Sequence, residues 1–152
     1  LQKDEEPAIR PRVAKLSKNM LGFAEPVKEL KIVDKDGKEL LGNDHDRRFF
    51  EASWMHKYNG KYYFSYSTGD THFICYAIGD SPYGPFTYQG AVLNPVIGWT
   101  NHHSIVEIKG NWYLFYHDSM LSNGQTHLRS VKVTPLTHNA DGSIATIEPY
   151  LK

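Results

Sequence analysis

The sequence has little cysteine, no excess of either charge and no long apolar run, and each shortage excludes a class of protein. Cys75 is the only cysteine among 152 residues, so no disulfide can form within the chain, and its aromatic neighbours predict a buried thiol. Lys plus Arg and Asp plus Glu both number 17, which leaves no basic field for nucleic acid or anionic lipid. No run approaches the roughly 18 apolar residues of a membrane helix. We therefore expect neither a nucleic-acid partner nor a membrane partner.

The first residues also lack familiar features. Residues 1–7 have no initiator methionine and no apolar signal core, so we expect a processed or trimmed product. These residues leave the cellular compartment open.

Aromatic residues are abundant, and they fall in two hairpin-like stretches at residues 54–66 and 105–116. The first stretch turns at Asn59-Gly60, the preferred pair for a tight type I′ turn. The second turns at residues 109–111. We therefore predict an all-β protein with little helix.

The two hairpins repeat each other fifty residues apart, since Gly60, Tyr63 and Tyr66 match Gly110, Tyr113 and Tyr116. Further strands are predicted at residues 73–78, 86–88 and 126–133, with another hairpin turning at 139–142. Each repeat then holds about four short strands, which is typical of a β-propeller blade.

The repeats divide the chain into a blade remnant at residues 1–45, a blade at 46–95 and a blade at 96–152. Blades bury their faces only against neighbouring blades, so about two and a half blades alone would expose sheet faces. A self-contained β-sandwich of about eight strands is the alternative.

Glu51 is the sharpest candidate for chemistry, because it lies among Phe49, Phe50 and Trp54 at the start of a predicted inner strand. Aromatic neighbours would exclude water and favour the protonated carboxyl that a general acid requires. The alternative is a structural glutamate paired to Arg47 or Arg48.

His102 and His103 occupy the corresponding place before the next repeat. Neighbouring residues on a strand point to opposite faces, so only one of the two could line a shared axis. Arg129, in the predicted strand 126–133, could reach a carboxylate or sugar hydroxyls, or could be a plain surface arginine. Trp54 and Phe73 are further candidates for sugar contact, as aromatic side chains that can stack on a sugar ring.

Six segments together resemble glycoside hydrolase family 43, and the resemblance covers nearly all of the chain after about Val13. They are Phe50-Glu51-Ala52-Ser53-Trp54, residues 57–67, Tyr76-Ala77, Ser81-Pro82-Tyr83-Gly84-Pro85-Phe86, Asn101-His102-His103-Ser104-Ile105-Val106 and Asp141-Gly142-Ser143-Ile144.

The resemblance implies a five-bladed propeller that releases arabinofuranose or xylose from arabinoxylan-type plant polysaccharide with inversion of configuration. It implies that Glu51 is the general acid, that Arg129 reaches the sugar and the acid, and that His102 lies at an axial calcium or water site and near substrate. Calcium at the axis is then the one candidate cofactor. The compartment stays open, with a secreted or periplasmic location favoured over a cytoplasmic one.

The two aspartates that the family uses have no motif here, and an inverting reaction needs a base across the sugar from the acid. We therefore expect activity only with a complementary N-terminal propeller fragment or a second chain, a second copy of this chain being one alternative. A non-catalytic carbohydrate-binding fragment is the other function that the sequence allows.

Overall fold

The computed structural model describes residues 2–99 and 101–150 of the chain. One short 3₁₀ helix, Met120–Ser122, accompanies ten strands, which confirms the predicted all-β class. The strands are β1 (Arg12–Val13), β2 (Lys28–Glu29), β3 (Ile32–Val33), β4 (Glu51–Tyr58), β5 (Lys61–Ser67), β6 (Ile74–Gly79), β7 (Phe86–Leu93), β8 (His103–Ile108), β9 (Asn111–Asp118) and β10 (Ser130–Pro135).

The larger sheet has five strands in the order β3-β7-β6-β5-β4. Strands β4 to β7 form an antiparallel meander, and β3 joins parallel to β7 at the outer edge. Strand β3 comes from the predicted remnant 1–45, yet it pairs with the strands of segment 46–95. The division into segments 1–45, 46–95 and 96–152 stays a prediction.

The smaller sheet has three antiparallel strands in the order β10-β9-β8, and β1 pairs with β2 separately. The predicted strand 126–133 is wrong at its start, because β10 begins at Ser130. The amide of Leu128 donates to the carbonyl of Gln125 at 2.9 Å, which closes a turn where a strand was expected. Arg129 therefore precedes the strand.

Both predicted hairpin turns are present and have the same backbone form. Asn59 and Gly60 have φ values of 44° and 79°, and Lys109 and Gly110 have 52° and 81°. Two successive positive φ values are the mark of a type I′ turn, which matches the twist of the flanking strands. The second turn contains only two residues, since Asn111 already begins β9.

The main core lies between the two sheets. Tyr63, Ile74 and Tyr76 from the larger sheet pack in one cluster with Leu114 and Tyr116 from the smaller sheet. A second cluster lies on the other face of the larger sheet and contains Cys75, Leu30, Ile32, Phe64, Tyr66 and Phe86. Cys75 is buried, which confirms the predicted buried thiol, and burial raises the pKa of that thiol to about 12.

The smaller sheet has one open apolar face. Its strand register puts Val106, Tyr113, Phe115, Val131 and Val133 on one side, opposite the side that joins the main core. Val131 is 79% exposed and Val133 is 57% exposed. Within residues 2–99 and 101–150, no helix has the length and apolar character needed to cross a membrane.

Candidate active site

Glu51 lies on an irregular part of β4, next to the edge where the two sheets meet. It pairs with Ser67, and the register then shifts before Trp54 pairs with Ser65. Ala52, between them, has a φ of 60°, a left-handed conformation that a residue with a Cβ seldom adopts. A bulge of this kind turns a side chain out of the regular alternation and is common beside active sites. The local backbone thus aims Glu51 away from the regular pleat.

The Glu51 carboxylate faces a histidine from the other sheet. Glu51 Oε1 lies 3.5 Å from His102 Nε2, and the two side chains are 35% and 50% exposed. The contact forms because β4 and β8 lie beside each other and His102 immediately precedes β8. The structure therefore brings together two residues that the sequence placed at equivalent positions of its two repeats.

Neither arginine considered as a structural partner of Glu51 has that role in the described residues. Arg47 pairs with Asp44, and Arg48 donates from Nε to the carbonyl of Gly42 at 2.8 Å. Arg48 also approaches Asp70 at 3.4 Å. Among the described residues Glu51 is thus left in contact with His102, and the alternative of a structural glutamate paired to Arg47 or Arg48 loses its support.

The aromatic residues around Glu51 each have another contact. Phe49 packs against Phe64 and Tyr66 in the core, with ring centroids 6.2 and 5.9 Å away. Phe50 is half exposed, and its ring lies over Gly69. A Cβ added to Gly69 would come within 2.6 Å of the Phe50 ring. Two of the three aromatic side chains expected to shield Glu51 therefore have packing partners elsewhere in the chain.

Trp54 and Phe73, predicted to contact sugar, both lie at the edge of the core. The indole Nε1 of Trp54 donates to the carbonyl of Ile105 at 2.9 Å, and the ring packs against the core between the sheets. Phe73 is half-buried against the second cluster, and its amide donates to Thr68 Oγ1 at 3.1 Å. Their roles in substrate binding stay predictions.

His103 points away from Glu51, as the alternation of a strand requires. Its Nε2 lies 2.6 Å from Ser65 Oγ. Burial, with smaller effects from His102 and His56, lowers the pKa of His103 to about 3, so the ring is neutral. The prediction that only one of the two histidines reaches the site is consistent with this geometry.

His117 lies at the same site, although it is not among the site residues predicted from the sequence. The main-chain N–H of His102 donates to His117 Nε2 at 3.2 Å, and the two imidazoles lie 6.0 Å apart with 20° between their planes. Burial is the main cause that lowers the pKa of His117, the charge of Arg129 lowers it further, and the charge of Glu51 opposes the shift. The sequence does contain a signal for it. Counting residues along both strands, away from the turn at Lys109-Gly110, places His117 opposite His102.

Arg129 donates from Nε to the carbonyl of Thr126 at 3.1 Å. Its side chain is therefore tied to the turn before β10. The reach toward sugar that the sequence suggested for Arg129 stays a prediction.

A calcium ion does not fit the donors that the described residues supply. Calcium requires six to eight oxygen ligands, whereas His102 offers a nitrogen and only one carboxylate, that of Glu51, is in contact with it. Across residues 2–99 and 101–150 no group of three or more His, Cys, Asp or Glu side chains is placed to hold a metal. We therefore derive no chemical step through calcium.

Comparison with known proteins gives a consistent set of relatives. The family model described as "Glycosyl hydrolases family 43" matches residues 5–144. A xylosidase/arabinosidase of Bacteroides ovatus is 65% identical over 148 residues, covering 97% of this chain and 46% of the relative. A β-xylosidase of Xylanibacter ruminicola is 59% identical, with the same two coverages.

The solved structures that resemble this chain point to the same family as the sequence matches. A β-xylosidase/α-arabinofuranosidase from a compost metagenome, solved with xylotriose in a calcium-free form, has a TM-score of 0.96 and 72% identity, covering 99% of this chain and 46% of its own. An enzyme from Xanthomonas citri, solved with xylotriose, has a TM-score of 0.95 and 61% identity. The match covers 97% of this chain and 44% of the Xanthomonas citri enzyme. The alternative of a self-contained β-sandwich is therefore wrong, and the prediction of propeller blades is confirmed. This chain spans about half the length of its relatives.

Proposed function

The chain belongs to the glycosyl hydrolases of family 43, and from that premise we propose that the complete protein releases xylose or arabinofuranose from arabinoxylan-type polysaccharides and oligosaccharides. The relatives support this substrate class, since they are xylosidases and arabinosidases and two were solved with xylotriose. The activity belongs to the complete protein, because this chain covers 46% of the Bacteroides ovatus relative.

The contact between Glu51 and His102 is the observation that carries the proposal. Glu51 is held on a bulge, is free of both neighbouring arginines, and keeps about a third of its side chain accessible, at 35%. A carboxyl in that setting can donate a proton to the glycosidic oxygen as the bond to the anomeric carbon breaks. His102, 3.5 Å away, can hold the carboxyl in one orientation.

An inverting mechanism needs a second carboxylate on the other side of the sugar, with space for a water between the two groups. That base would remove a proton from the water as its oxygen attacks the anomeric carbon. We propose that the base comes from the remainder of the family fold, which this chain does not contain. Bond cleavage would thus require both portions.

The open face of the smaller sheet supports this division. Val106, Phe115, Val131 and Val133 present an apolar surface that a blade buries against its neighbour. The proposed occupant is a sheet from the remainder of the family fold. A sugar-binding protein without catalysis would need the same occupant but would make no use of the bulge at Glu51.

The proposal can be tested on a graft in which this chain replaces the matching 148 residues of the Bacteroides ovatus relative. We expect the graft to hydrolyse aryl β-xylosides or aryl α-arabinofuranosides. Glu51→Gln should slow substrates with poor leaving groups by about 100-fold or more and activated aryl substrates much less, because only poor leaving groups need the proton. Glu107→Gln, an exposed strand glutamate, is the matched control and should leave both rates unchanged.

Product stereochemistry tests the inverting mechanism separately. Proton NMR of early product should show the anomer opposite to the substrate. Retention would contradict the two-sided arrangement, and a Glu51→Gln loss that is equal for all leaving groups would contradict the acid role.

A further inference from the structure

His102 and His117 are cross-strand neighbours just beyond the last regular pair of the smaller sheet. The ladder between β8 and β9 ends where His103 pairs with Tyr116. His102 and His117 would form the next pair, and their side chains lie on the same face because opposed residues in an antiparallel sheet share a face. The near-parallel rings, 20° apart, follow from this placement.

The main-chain amide of His102 is satisfied by a side chain. Its N–H donates to His117 Nε2 at 3.2 Å, so the imidazole takes the place of a backbone acceptor at the strand end. The bond is solvent-exposed, and it fixes where the chain enters β8. The position of His117 therefore controls the position of the His102 backbone.

His117 is suited to accept this bond. With Nε2 accepting, the ring proton is on Nδ1, which is buried without a hydrogen-bond partner among the described residues. An unpaired buried N–H weakens the fold, so stability alone does not account for a histidine here.

We infer that His117 is a positioning residue, which holds the His102 backbone so that the His102 imidazole meets the Glu51 carboxyl. This inference rests on the proposed role of Glu51 as general acid. His117 acts through His102, since its contact is with the His102 amide and the 3.5 Å contact of Glu51 is with the His102 ring. Loss of the bond would release the chain before β8 and misplace the group that orients the acid.

The test compares three variants of the graft on substrates with poor and good leaving groups. His117→Ala removes the acceptor and should lower kcat for poor leaving groups by roughly 10- to 100-fold, with a smaller effect on KM, because a small misplacement near the acid has a large effect on rate. His117→Gln keeps an oxygen acceptor at similar reach and should retain most of kcat. His127→Ala changes an exposed histidine and should have no effect.

Two readouts separate positioning from a general loss of structure. The defect of His117→Ala should shrink with activated leaving groups, as the defect of Glu51→Gln does, and the melting temperatures of His117→Ala and His117→Gln should be similar. An equal loss for every leaving group, or equal activity of the Ala and Gln variants, would overturn the inference while leaving Glu51 as the acid. If Glu51→Gln showed no dependence on the leaving group, the proposed function would fail and this inference with it.

Discussion

The indole N–H of Trp54 donates to the carbonyl of Ile105 at 2.9 Å and joins the two sheets of this chain. Trp54 belongs to β4 and Ile105 to β8, the adjacent strands that also carry or precede Glu51 and His102. The bond lies within a few residues of the Glu51–His102 contact on both strands. The relative position of the proposed acid and its neighbour therefore depends on how these sheets are joined.

Replacing Trp54 tests that connection. Trp54→Phe leaves the carbonyl of Ile105 without its partner, and we expect a loss of about 2 kcal/mol in the free energy of unfolding of the graft. Trp54→Leu also removes the ring that could stack on a sugar, so a rise in KM beyond that of Trp54→Phe would support the predicted substrate contact. Urea unfolding that is unchanged in Trp54→Phe would contradict the structural role.

The left-handed backbone conformation at Ala52 leads to a second prediction. A φ of 60° is tolerated poorly by a residue branched at Cβ, so Ala52→Val should destabilise the graft by more than about 1 kcal/mol. Ser53→Val, at the next position of the same strand and exposed, is the matched control and should change stability little. Equal destabilisation by the two substitutions, measured by urea unfolding, would show that the backbone at Ala52 is not strained.

Acid should weaken the fold through its buried histidines. Burial and the neighbouring His138 lower the pKa of His56 to about 3 from 6.5, and burial lowers that of His103 to about 3. Between pH 6.5 and pH 3 the unfolded chain binds protons on these rings and the folded chain does not. The free energy of unfolding should therefore fall as pH falls, by up to about 1.4 kcal/mol per pH unit for each histidine.

His56→Phe checks the sign and the source of this effect. His56 Nε2 lies 3.0 Å from His138 Nε2, so the variant costs a hydrogen bond at every pH, and only the slope with pH is informative. The slope of the unfolding free energy against pH, measured by urea unfolding between pH 6.5 and 4.5, should decrease by the equivalent of about one bound proton, or about 1.4 kcal/mol per pH unit. His127→Gln should keep the parental slope, and an unchanged slope in His56→Phe would refute the assignment.

A cysteine probe can report whether the open face is covered. Cys75 is buried with a thiol pKa of about 12, so it gives a low background in maleimide labelling. Val133→Cys should react in the isolated chain, where Val133 is 57% exposed, and should be protected in the graft. Asp80→Cys, on an exposed turn, should react in both proteins. Rapid labelling of Val133→Cys in the graft would contradict the proposed occupant.

Sequence patterns predicted the parts of this fold that depend on neighbouring residues. The Asn59-Gly60 turn follows from local backbone preferences, and its positive φ values set the register of the hairpin that contains Tyr63 and Tyr66. The buried state of Cys75 follows from the apolar strand around it. Glu51 and His102 were chosen because they begin equivalent strands of two repeats, and a shared fold brings such positions together.

The parts that were missed depend on contacts between distant segments. Strand β3 pairs with β7 across more than fifty residues, and no local pattern in Ile32-Val33 indicates that partner. Arg129 lies outside its predicted strand because the hydrogen bond between Leu128 and Gln125 favours a turn over the apparent alternation. The bulge at Ala52 is equally hidden, since alanine carries no sign of a left-handed conformation.

The most direct test of the central claim is a comparison of hydrolysis by the isolated 152-residue chain and by the graft, on the same aryl β-xyloside and aryl α-arabinofuranoside. We expect no turnover by the isolated chain, turnover by the graft, and loss of turnover in Glu51→Gln on the substrates with poor leaving groups. Hydrolysis by the isolated chain at the rate of the graft, or full activity of the Glu51→Gln graft on substrates with poor leaving groups, would contradict the proposed function.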